Sequence, residues 1–214
     1  MSIRAIIWDM GGVIVRTEDP APRTALAQQF GLTRQAIEDL VFAGAWSDRA
    51  TVGEIEIDEL WQTICEQLKA APEQVQDIQR GFWGGDRVDT ELVAYIRTLR
   101  PSYRTALLSN AWSDLRETLT ERWRIADAFD ELFISAELGL MKPDPRIFQL
   151  VVERLGVAPA EAILIDDFPV NVRAAAECGL HTIRFREPAQ ARAELEALLA
   201  REKSIHEGHK VTRR

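Results

Sequence analysis

Short apolar runs of strand length recur along the chain, and each is nearly continuous rather than alternating with polar residues. They occupy residues 3–8, 103–108, 132–134, 162–165 and 182–185. Strands that are apolar on both faces are typical of a parallel sheet covered by helices on both sides. The runs therefore predict the strands of one buried parallel sheet.

The segments between the later runs have the spacing of helices. The segment after Pro143 carries apolar residues at helical intervals and ends at Gly156. A second segment of this kind begins at Pro169 and ends at Gly179. Proline favours the first turn of a helix and glycine the position just beyond its end. The alternation predicts an α/β fold with a Rossmann-like, doubly wound parallel sheet.

Residues 16–90 interrupt this alternation, because they contain no convincing strand. Helices are predicted over residues 25–30, 35–42, 58–68 and 73–82, with prolines and glycines between them. We therefore divide the chain into an α/β core, a helical insert and a polar tail. The core comprises residues 1–15 and 91–203, the helical insert residues 16–90, and the C-terminal tail residues 204–214.

Composition limits the classes of function. The chain has 214 residues, of which 46% are hydrophobic and 28% charged, as in soluble globular proteins. Its formal net charge of -8 disfavours binding to nucleic acid, and only the short run of residues 209–214 is basic. We recognise no signal peptide and no membrane span, so we expect a cytoplasmic monomer or homodimer without a membrane partner.

Four short polar segments lie at the ends of predicted strands and are the candidates for chemistry. Ligands of open α/β sheets bind beyond the carboxyl ends of the strands, so we expect these segments to converge on one cleft. Each also has an ordinary alternative, namely a turn or helix cap for the polar pairs and a solvated position for the lysine. The segments are Asp9, Ser109 with Asn110, Lys142, and Asp166 with Asp167.

The chemistry of these residues suits a phosphorylated ligand and a divalent cation. A hydroxyl followed by an amide, as in Ser109 and Asn110, can hold phosphate oxygens together with backbone N–H groups. The ammonium of Lys142 can neutralise a phosphoryl group and a carboxylate. The adjacent carboxylates of Asp166 and Asp167 repel each other at low dielectric unless a cation binds, and oxygen ligands suit Mg²⁺.

The order of these segments resembles the motifs of the haloacid dehalogenase (HAD) superfamily, and the likeness extends from residue 3 to about residue 186. The helical insert is similar to the cap of that family. Within the superfamily the chain most resembles the sugar-1-phosphate phosphatases and the phosphatase domain of soluble epoxide hydrolases. The similar segments are residues 6–13, residues 107–110, Lys142 with Pro143, and Asp166 and Asp167 with Asn171.

The resemblance implies a magnesium-dependent phosphatase that acts on a small phosphorylated metabolite, such as a sugar phosphate. It implies that Asp9 attacks phosphorus and forms an aspartyl-phosphate, while Asp166 orients the metal shell or a water. Mg²⁺ would bind Asp9, the backbone carbonyl of Gly11 and Asp167, and Asn171 would support this metal loop. The phosphoryl group would be held by Gly12, Ser109, Asn110 and Lys142.

One position departs from the family pattern. The common phosphatase motif has a second Asp two residues after the nucleophile as general acid and base, and this chain has Gly11. Loss of a general acid typically costs about 10²–10⁴-fold for a poor leaving group. Either the substrate has a good leaving group, such as an anomeric sugar phosphate or an acyl phosphate, or another group supplies the proton. Candidates for that group are Glu18, Asp19, a carboxylate of the helical insert or a bound water.

Two other functions stay open. L-2-haloacid dehalogenases also lack the second Asp, because a halide leaves without a proton. They need no magnesium, however, and their fourth motif is not a pair like Asp166 and Asp167, which therefore favours the phosphatase. A binding or regulatory protein that keeps the fold without turnover is the third hypothesis, and the joint presence of Asp9, Lys142 and Asp167 speaks against it.

Overall fold

The computed structural model describes the backbone of residues 2–211 and the side chains of residues 2–201. Its strands are β1 Ala5–Trp8, β2 Val15–Thr17, β3 Asp86–Val88, β4 Arg104–Ser109, β5 Glu131–Ile134, β6 Ala162–Asp166 and β7 His181–Arg184. One parallel sheet has the strand order β5-β4-β1-β6-β7. Each strand predicted from an apolar run is present, and the predicted α/β fold with a parallel sheet is confirmed.

Helices cover the sheet and make up most of the helical insert. The predicted helix after Pro143 begins two residues later, at Pro145, because the side chain of Asp144 accepts the N–H of Arg146 and caps it. The helices are α1 Ala21–Gln29, α2 Arg34–Phe42, α3 Ala45–Thr51, α4 Ile57–Gln67, α5 Val75–Trp83, α6 Thr90–Leu99, α7 Leu115–Glu117, α8 Ser135–Leu138, α9 Pro145–Arg154, α10 Pro169–Glu177 and α11 Pro188–Val211.

The sheet is buried on both faces, as its continuous apolar strands require. Along β1, Ile6 and Trp8 point into one hydrophobic cluster, whereas Ala5 and Ile7 point into another. Side chains of α6 and α11 complete the first cluster, and side chains of α9 and α10 complete the second. This covering leaves the strand ends as the part of the sheet that a ligand can reach.

The helical insert is built around a third hydrophobic cluster, to which side chains from α1 to α5 contribute together with Trp112 of the core. The chain enters and leaves it through β2 and β3, which pair antiparallel. The prediction that residues 16–90 contain no strand was therefore wrong. These strands have three residues each and are only partly buried, too short to show an apolar pattern. The division into a core, an insert and a tail stays a prediction.

Two helices of the insert differ from the prediction. Helix α1 begins at Ala21, before the predicted start, because Pro22 lies in its first turn, where a missing N–H is tolerated. Helix α3 was not predicted at all. It follows Gly44, whose φ is +110°, and it buries only Ser47 and Ala50, so it lacks the apolar stripe by which helices are recognised.

The last helix is longer than predicted. Helix α11 continues to Val211, so the backbone of residues 204–211, predicted as part of a polar tail, is helical. Residues 212–214 and the side chains of the basic run 209–214 lie outside the described residues. Within the described backbone, no helix combines the length and apolar character that crossing a membrane requires.

Candidate active site

The register of the sheet brings several strand ends to one point. Trp8, the last residue of β1, pairs with Leu107 in β4 and with Ile165 in β6. The next residue, Asp9, donates its N–H to the Ile165 carbonyl at 2.9 Å. Asp9 therefore stands beside Asp166, in agreement with the expectation that the polar strand ends converge.

The ammonium group of Lys142 lies between these two carboxylates. Its Nζ is 2.8 Å from Asp9 Oδ1 and 2.7 Å from Asp166 Oδ2, and it donates to the Leu108 carbonyl at 2.9 Å. An ammonium has three N–H bonds, so each has an acceptor. Lys142 is only 3% exposed, which excludes the alternative of a solvated surface lysine. It is a buried positive charge fixed beside Asp9.

Asn110 holds the backbone of Lys142 in place. Its Nδ2 donates to the Lys142 carbonyl at 2.7 Å, and its Oδ1 accepts the Lys142 N–H at 2.8 Å. Both polar atoms of the amide are thus engaged, so a contact of Asn110 with phosphoryl oxygens would use its backbone N–H, and that contact stays a prediction. Ser109, the preceding residue, is the buried last residue of β4.

Asp166 is fully buried and accepts hydrogen bonds on both carboxylate oxygens. In addition to the Lys142 ammonium, the Asn171 amide donates to Asp166, and its Nδ2 lies 3.1 Å from each carboxylate oxygen. The Phe168 N–H donates to Oδ1 at 2.8 Å, so Asp166 also fixes the turn that leads into α10. The structure thus brings Asn171 to Asp166, and both oxygens of Asp166 are occupied by protein donors.

Asp167 approaches the backbone of Gly12. A Cβ added to Gly12 would lie 2.2 Å from Asp167 Oδ2, and the φ of Gly12 is +77°, so only glycine permits this approach. Asp167 Oδ1 is buried and has no hydrogen-bond partner among the residues described. One oxygen from each of Asp9, Asp166 and Asp167 lies within 4.8 Å of the others.

Burial and repulsion dominate the electrostatics of this cluster. Burial raises the pKa of Asp9 to about 7, an effect that Lys142 opposes and Asp166 reinforces. Burial and the charge of Asp166 raise the pKa of Asp167 to about 6. Burial alone would lower the pKa of Lys142, but the two carboxylates bonded to it raise that pKa overall. Three carboxylates thus face one ammonium, and a divalent cation would relieve the excess negative charge.

Position 11 has room for a larger side chain. Gly11 is exposed, and no atom other than those of its chain neighbours lies within 4 Å of a Cβ built there. Of the candidate substitutes for the missing acid, Asp19 accepts the Ala21 N–H at 2.9 Å and is thereby engaged at the start of α1. Glu18 is exposed in the segment after β2.

The helical insert contacts the core beside these strand ends. Ser113 Oγ, in the loop after β4, donates to Glu56 Oε2 at 3.2 Å. Gly53 packs against α8, directly after β5, so closely that a Cβ would lie 2.1 Å from the Ala136 carbonyl oxygen. The insert therefore lies at the carboxyl edge of the sheet, next to the cluster around Asp9.

Ser135 is a residue of this region that the sequence analysis missed. It is fully buried, and its Oγ accepts the Ala111 N–H at 2.9 Å and donates to the Ala111 carbonyl at 3.1 Å. These bonds hold the loop after Ser109 against the end of β5. A signal was present, because Ser135 follows directly after an apolar strand, as Asp9 does.

Known proteins resemble this chain over most of its length. Residues 3–179 match the family of haloacid dehalogenase-like hydrolases. The chain is 28% identical over 206 residues to the D-ribitol-5-phosphate phosphatase of Bacteroides thetaiotaomicron, which covers 92% of this chain and 98% of that protein. It is 32% identical over 219 residues to Acyl-CoA dehydrogenase family member 10 of Mus musculus, covering 92% of this chain but only 19% of that much longer protein.

A solved structure shares the fold. It is a HAD family enzyme from Bacteroides thetaiotaomicron in complex with magnesium and inorganic phosphate. The TM-score is 0.72, with 86% of this chain and 95% of that chain covered, and the 24% identity supports a shared fold alone. The family match spans all the polar strand ends described above, from Asp9 to Asn171. The chain therefore belongs to the haloacid dehalogenase-like hydrolase family, as its motifs predicted.

Proposed function

We propose that this protein is a magnesium-dependent phosphatase that hydrolyses a small phosphomonoester, such as a sugar phosphate, through an aspartyl-phosphate on Asp9. The observation that carries the proposal is the cluster of Asp9, Asp166 and Asp167, with carboxylate oxygens within 4.8 Å of one another. The ammonium of Lys142 is bonded to the first two of these carboxylates. The likeness to a sugar-alcohol phosphate phosphatase supports the same reaction.

The residues present fit a magnesium ion. Asp167 has a buried carboxylate oxygen without a hydrogen-bond partner in the described part of the chain, and Mg²⁺ prefers oxygen ligands. We take Asp9, Asp167 and the Gly11 carbonyl as the ligands, since both oxygens of Asp166 already accept bonds from protein donors. When bound, the ion would offset the negative charge of the carboxylates and of the phosphoryl group.

Asp9 would act as the nucleophile. One of its oxygens would form a bond to phosphorus while the bond from phosphorus to the leaving oxygen breaks, and that oxygen would depart with the electron pair. Water would then attack the aspartyl-phosphate, releasing inorganic phosphate and restoring the carboxylate. Lys142, positioned by Asn110, would keep a positive charge beside Asp9 through both steps. Ser109 and Gly12 would lie next to the phosphoryl group, and the helical insert would serve as the cap.

A dehalogenase of the same family is the second candidate, and Gly11 is the observation that favours it, because a halide leaves without a proton. The charge of the cluster opposes it. A haloacid carries a carboxylate of its own, and three carboxylates facing the single ammonium of Lys142 would repel that group. The phosphatase with its cation is therefore the better fit.

Hydrolysis of p-nitrophenyl phosphate with and without Mg²⁺ tests the proposal. Phenolates need little protonation, so a phosphatase without an acid at position 11 should still release nitrophenolate. We expect chelation of the metal to stop this release and added Mg²⁺ to restore it. Chloride release from 2-chloropropionate without metal would favour the dehalogenase, and silence in both assays with retained ligand binding would favour a binding protein.

Gly12→Ala should weaken Mg²⁺ binding by about tenfold, because the added Cβ would displace the Asp167 carboxylate. Isothermal titration with Mg²⁺ measures the effect. Gly31→Ala is the matched control, since Gly31 also has a positive φ, +67°, but has no atom within 4 Å of its Cβ position. Gly31→Ala should lose about 1 kcal/mol of unfolding free energy from backbone strain, and Gly12→Ala should lose more because Asp167 must also move. Equal Mg²⁺ affinity in the two variants would contradict the role given to Asp167.

A further inference from the structure

The large apolar side chains that are exposed among the described residues fall in two short segments. Phe42 and Trp46, 49% and 39% exposed, flank the turn between α2 and α3. Phe168 and Val170, 58% and 42% exposed, follow Asp167 directly. The residues between Phe42 and Trp46 are apolar and exposed as well. Such a run on the surface of a soluble domain indicates a binding surface. We call Phe42, Trp46 and Phe168 the apolar surface.

The ring of Phe42 is fixed by other aromatic rings. It stacks on Trp112 with ring centroids 6.2 Å apart and planes at 21°, and it meets Trp83 edge-on at 5.7 Å. Trp112 is itself buried. It belongs to the loop after β4, three residues beyond Ser109, which is about 10 Å of extended chain at most. Phe42 therefore packs on the loop that directly follows Ser109, a proposed contact of the phosphoryl group.

Trp46 lies four residues beyond Phe42, across the exposed turn between α2 and α3. The guanidinium of Arg49 lies over its ring, 4.9 Å from the centroid, so the ring is oriented although it is exposed. Helix α3, which carries Trp46, leads directly to Gly53, whose contact with Ala136 fixes that end of the helix beside the carboxyl end of β5. Phe168, on the core side, is the next residue after a proposed metal ligand. The segments that carry the apolar surface thus adjoin the site in sequence, from the helical insert through α3 and from the core through Asp167.

We propose that the apolar surface binds the organic group of the substrate, and that the substrate is an aryl phosphate. This inference rests on the phosphatase function and adds the class of substrate. Two independent features point to it. Aromatic rings such as those of Phe42 and Trp46 stack well on another ring, and Gly11 supplies no proton, so a leaving oxygen that is stable as an anion is favoured.

An aryl phosphate can be hydrolysed without a general acid from the protein. The bond between phosphorus and the aryl oxygen breaks, the aryloxide leaves with the electron pair, and solvent water protonates it afterwards. A polyol phosphate would instead release an alkoxide, which needs the proton that Gly11 does not supply. The substrate thus differs from the ribitol phosphate named for the bacterial relative.

Steady-state kinetics with Mg²⁺ on three substrates test the inference. They are 2-naphthyl phosphate, acetyl phosphate, whose small leaving group also departs without a proton, and ribitol 5-phosphate. Wild-type protein should have its highest kcat/KM on naphthyl phosphate. The double variant Phe42→Ser, Trp46→Ser should lose about tenfold in kcat/KM on naphthyl phosphate, mainly through KM, and at most about twofold on acetyl phosphate.

The acetyl phosphate activity reports that the variant is folded and that its phosphoryl site is intact. Tyr103→Ser is the matched control, because Tyr103 is a partly exposed aromatic residue just before β4, at the opposite end of the sheet, and it should change neither rate. Equal losses on both aryl and acetyl phosphate, no loss on either, or a preference for ribitol phosphate would overturn the inference but leave the phosphatase standing. Absence of metal-dependent phosphate release from every substrate would refute the phosphatase itself.

The apolar surface has one competing occupant, a second copy of the chain. Light scattering on wild type and on the double variant separates the two. Dissociation of a wild-type dimer by Phe42→Ser, Trp46→Ser, with aryl selectivity unchanged, would assign the surface to dimerisation and overturn the inference. If the oligomeric state stays constant and the selectivity for aryl phosphate is lost, the result supports substrate binding by this surface.

Discussion

Asp9→Asn should lower Mg²⁺-dependent hydrolysis of p-nitrophenyl phosphate by at least about 10⁴-fold, because an amide cannot form the bond to phosphorus. The fold should persist. The amide has nearly the same shape as the carboxylate, and Lys142 keeps its ion pair with Asp166. Thermal unfolding, followed alongside the kinetics, separates loss of chemistry from loss of structure. Wild-type protein mixed rapidly with substrate and quenched in acid should carry the mass of one added phosphoryl group, and Asp9→Asn should not.

Asp77→Asn is the control for the loss of one negative charge. Asp77 is an exposed residue of α5, paired with Arg80 in the same helix. We expect its activity to equal that of wild type. Substantial turnover by Asp9→Asn, or a phosphoryl adduct on that variant, would mean that another residue is the nucleophile.

Gly11→Asp should raise hydrolysis of an alkyl phosphate by about 10²-fold, because it supplies the general acid that a poor leaving group needs. The structure has room for it, since no atom outside the neighbouring residues lies within 4 Å of the added Cβ. Gly11 also lies outside the left-handed region of φ, so a side chain there introduces no backbone strain. Hydrolysis of p-nitrophenyl phosphate should change little, because nitrophenolate leaves unprotonated.

Gly11→Asn is the matched variant, with the same shape and no proton of suitable acidity. We expect it to leave the alkyl phosphate rate at the wild-type level while Mg²⁺ binding is retained in both variants. If Asp and Asn give the same rate, the proton already comes from another group, such as Glu18 or water. That result would remove the reason for linking Gly11 to an aryl leaving group.

Much of the fold could be predicted because its signals are local. Each strand of the sheet is a short apolar run, and burial on both faces makes that run continuous, as in Ile6, Ile7 and Trp8. The elements that were not predicted are segments without such an apolar run. Strands β2 and β3 are held by their pairing with each other, and helix α3 is held by contacts rather than by an apolar stripe.

The residues of the candidate site could likewise be found from a local signal, whereas their contacts could not. Position directly after a buried strand singled out Asp9, Ser109 and Asp166, and the same rule would have found Ser135. It could not show that the amide of Asn110 binds the backbone of Lys142. That pair is separated by many residues in sequence, and only the packing of two loops brings it together.

The sequence by itself determined the sheet, the family and the kinds of group at the strand ends, because apolar burial and polar strand ends leave a pattern in neighbouring residues. Only the tertiary structure decided which of those groups touch. It placed the buried ammonium of Lys142 between Asp9 and Asp166, gave Asp167 an unpartnered oxygen beside Gly12, and stacked Phe42 on Trp112. These contacts join segments far apart in the chain, and their distances depend on strand register and loop packing, which no local pattern encodes.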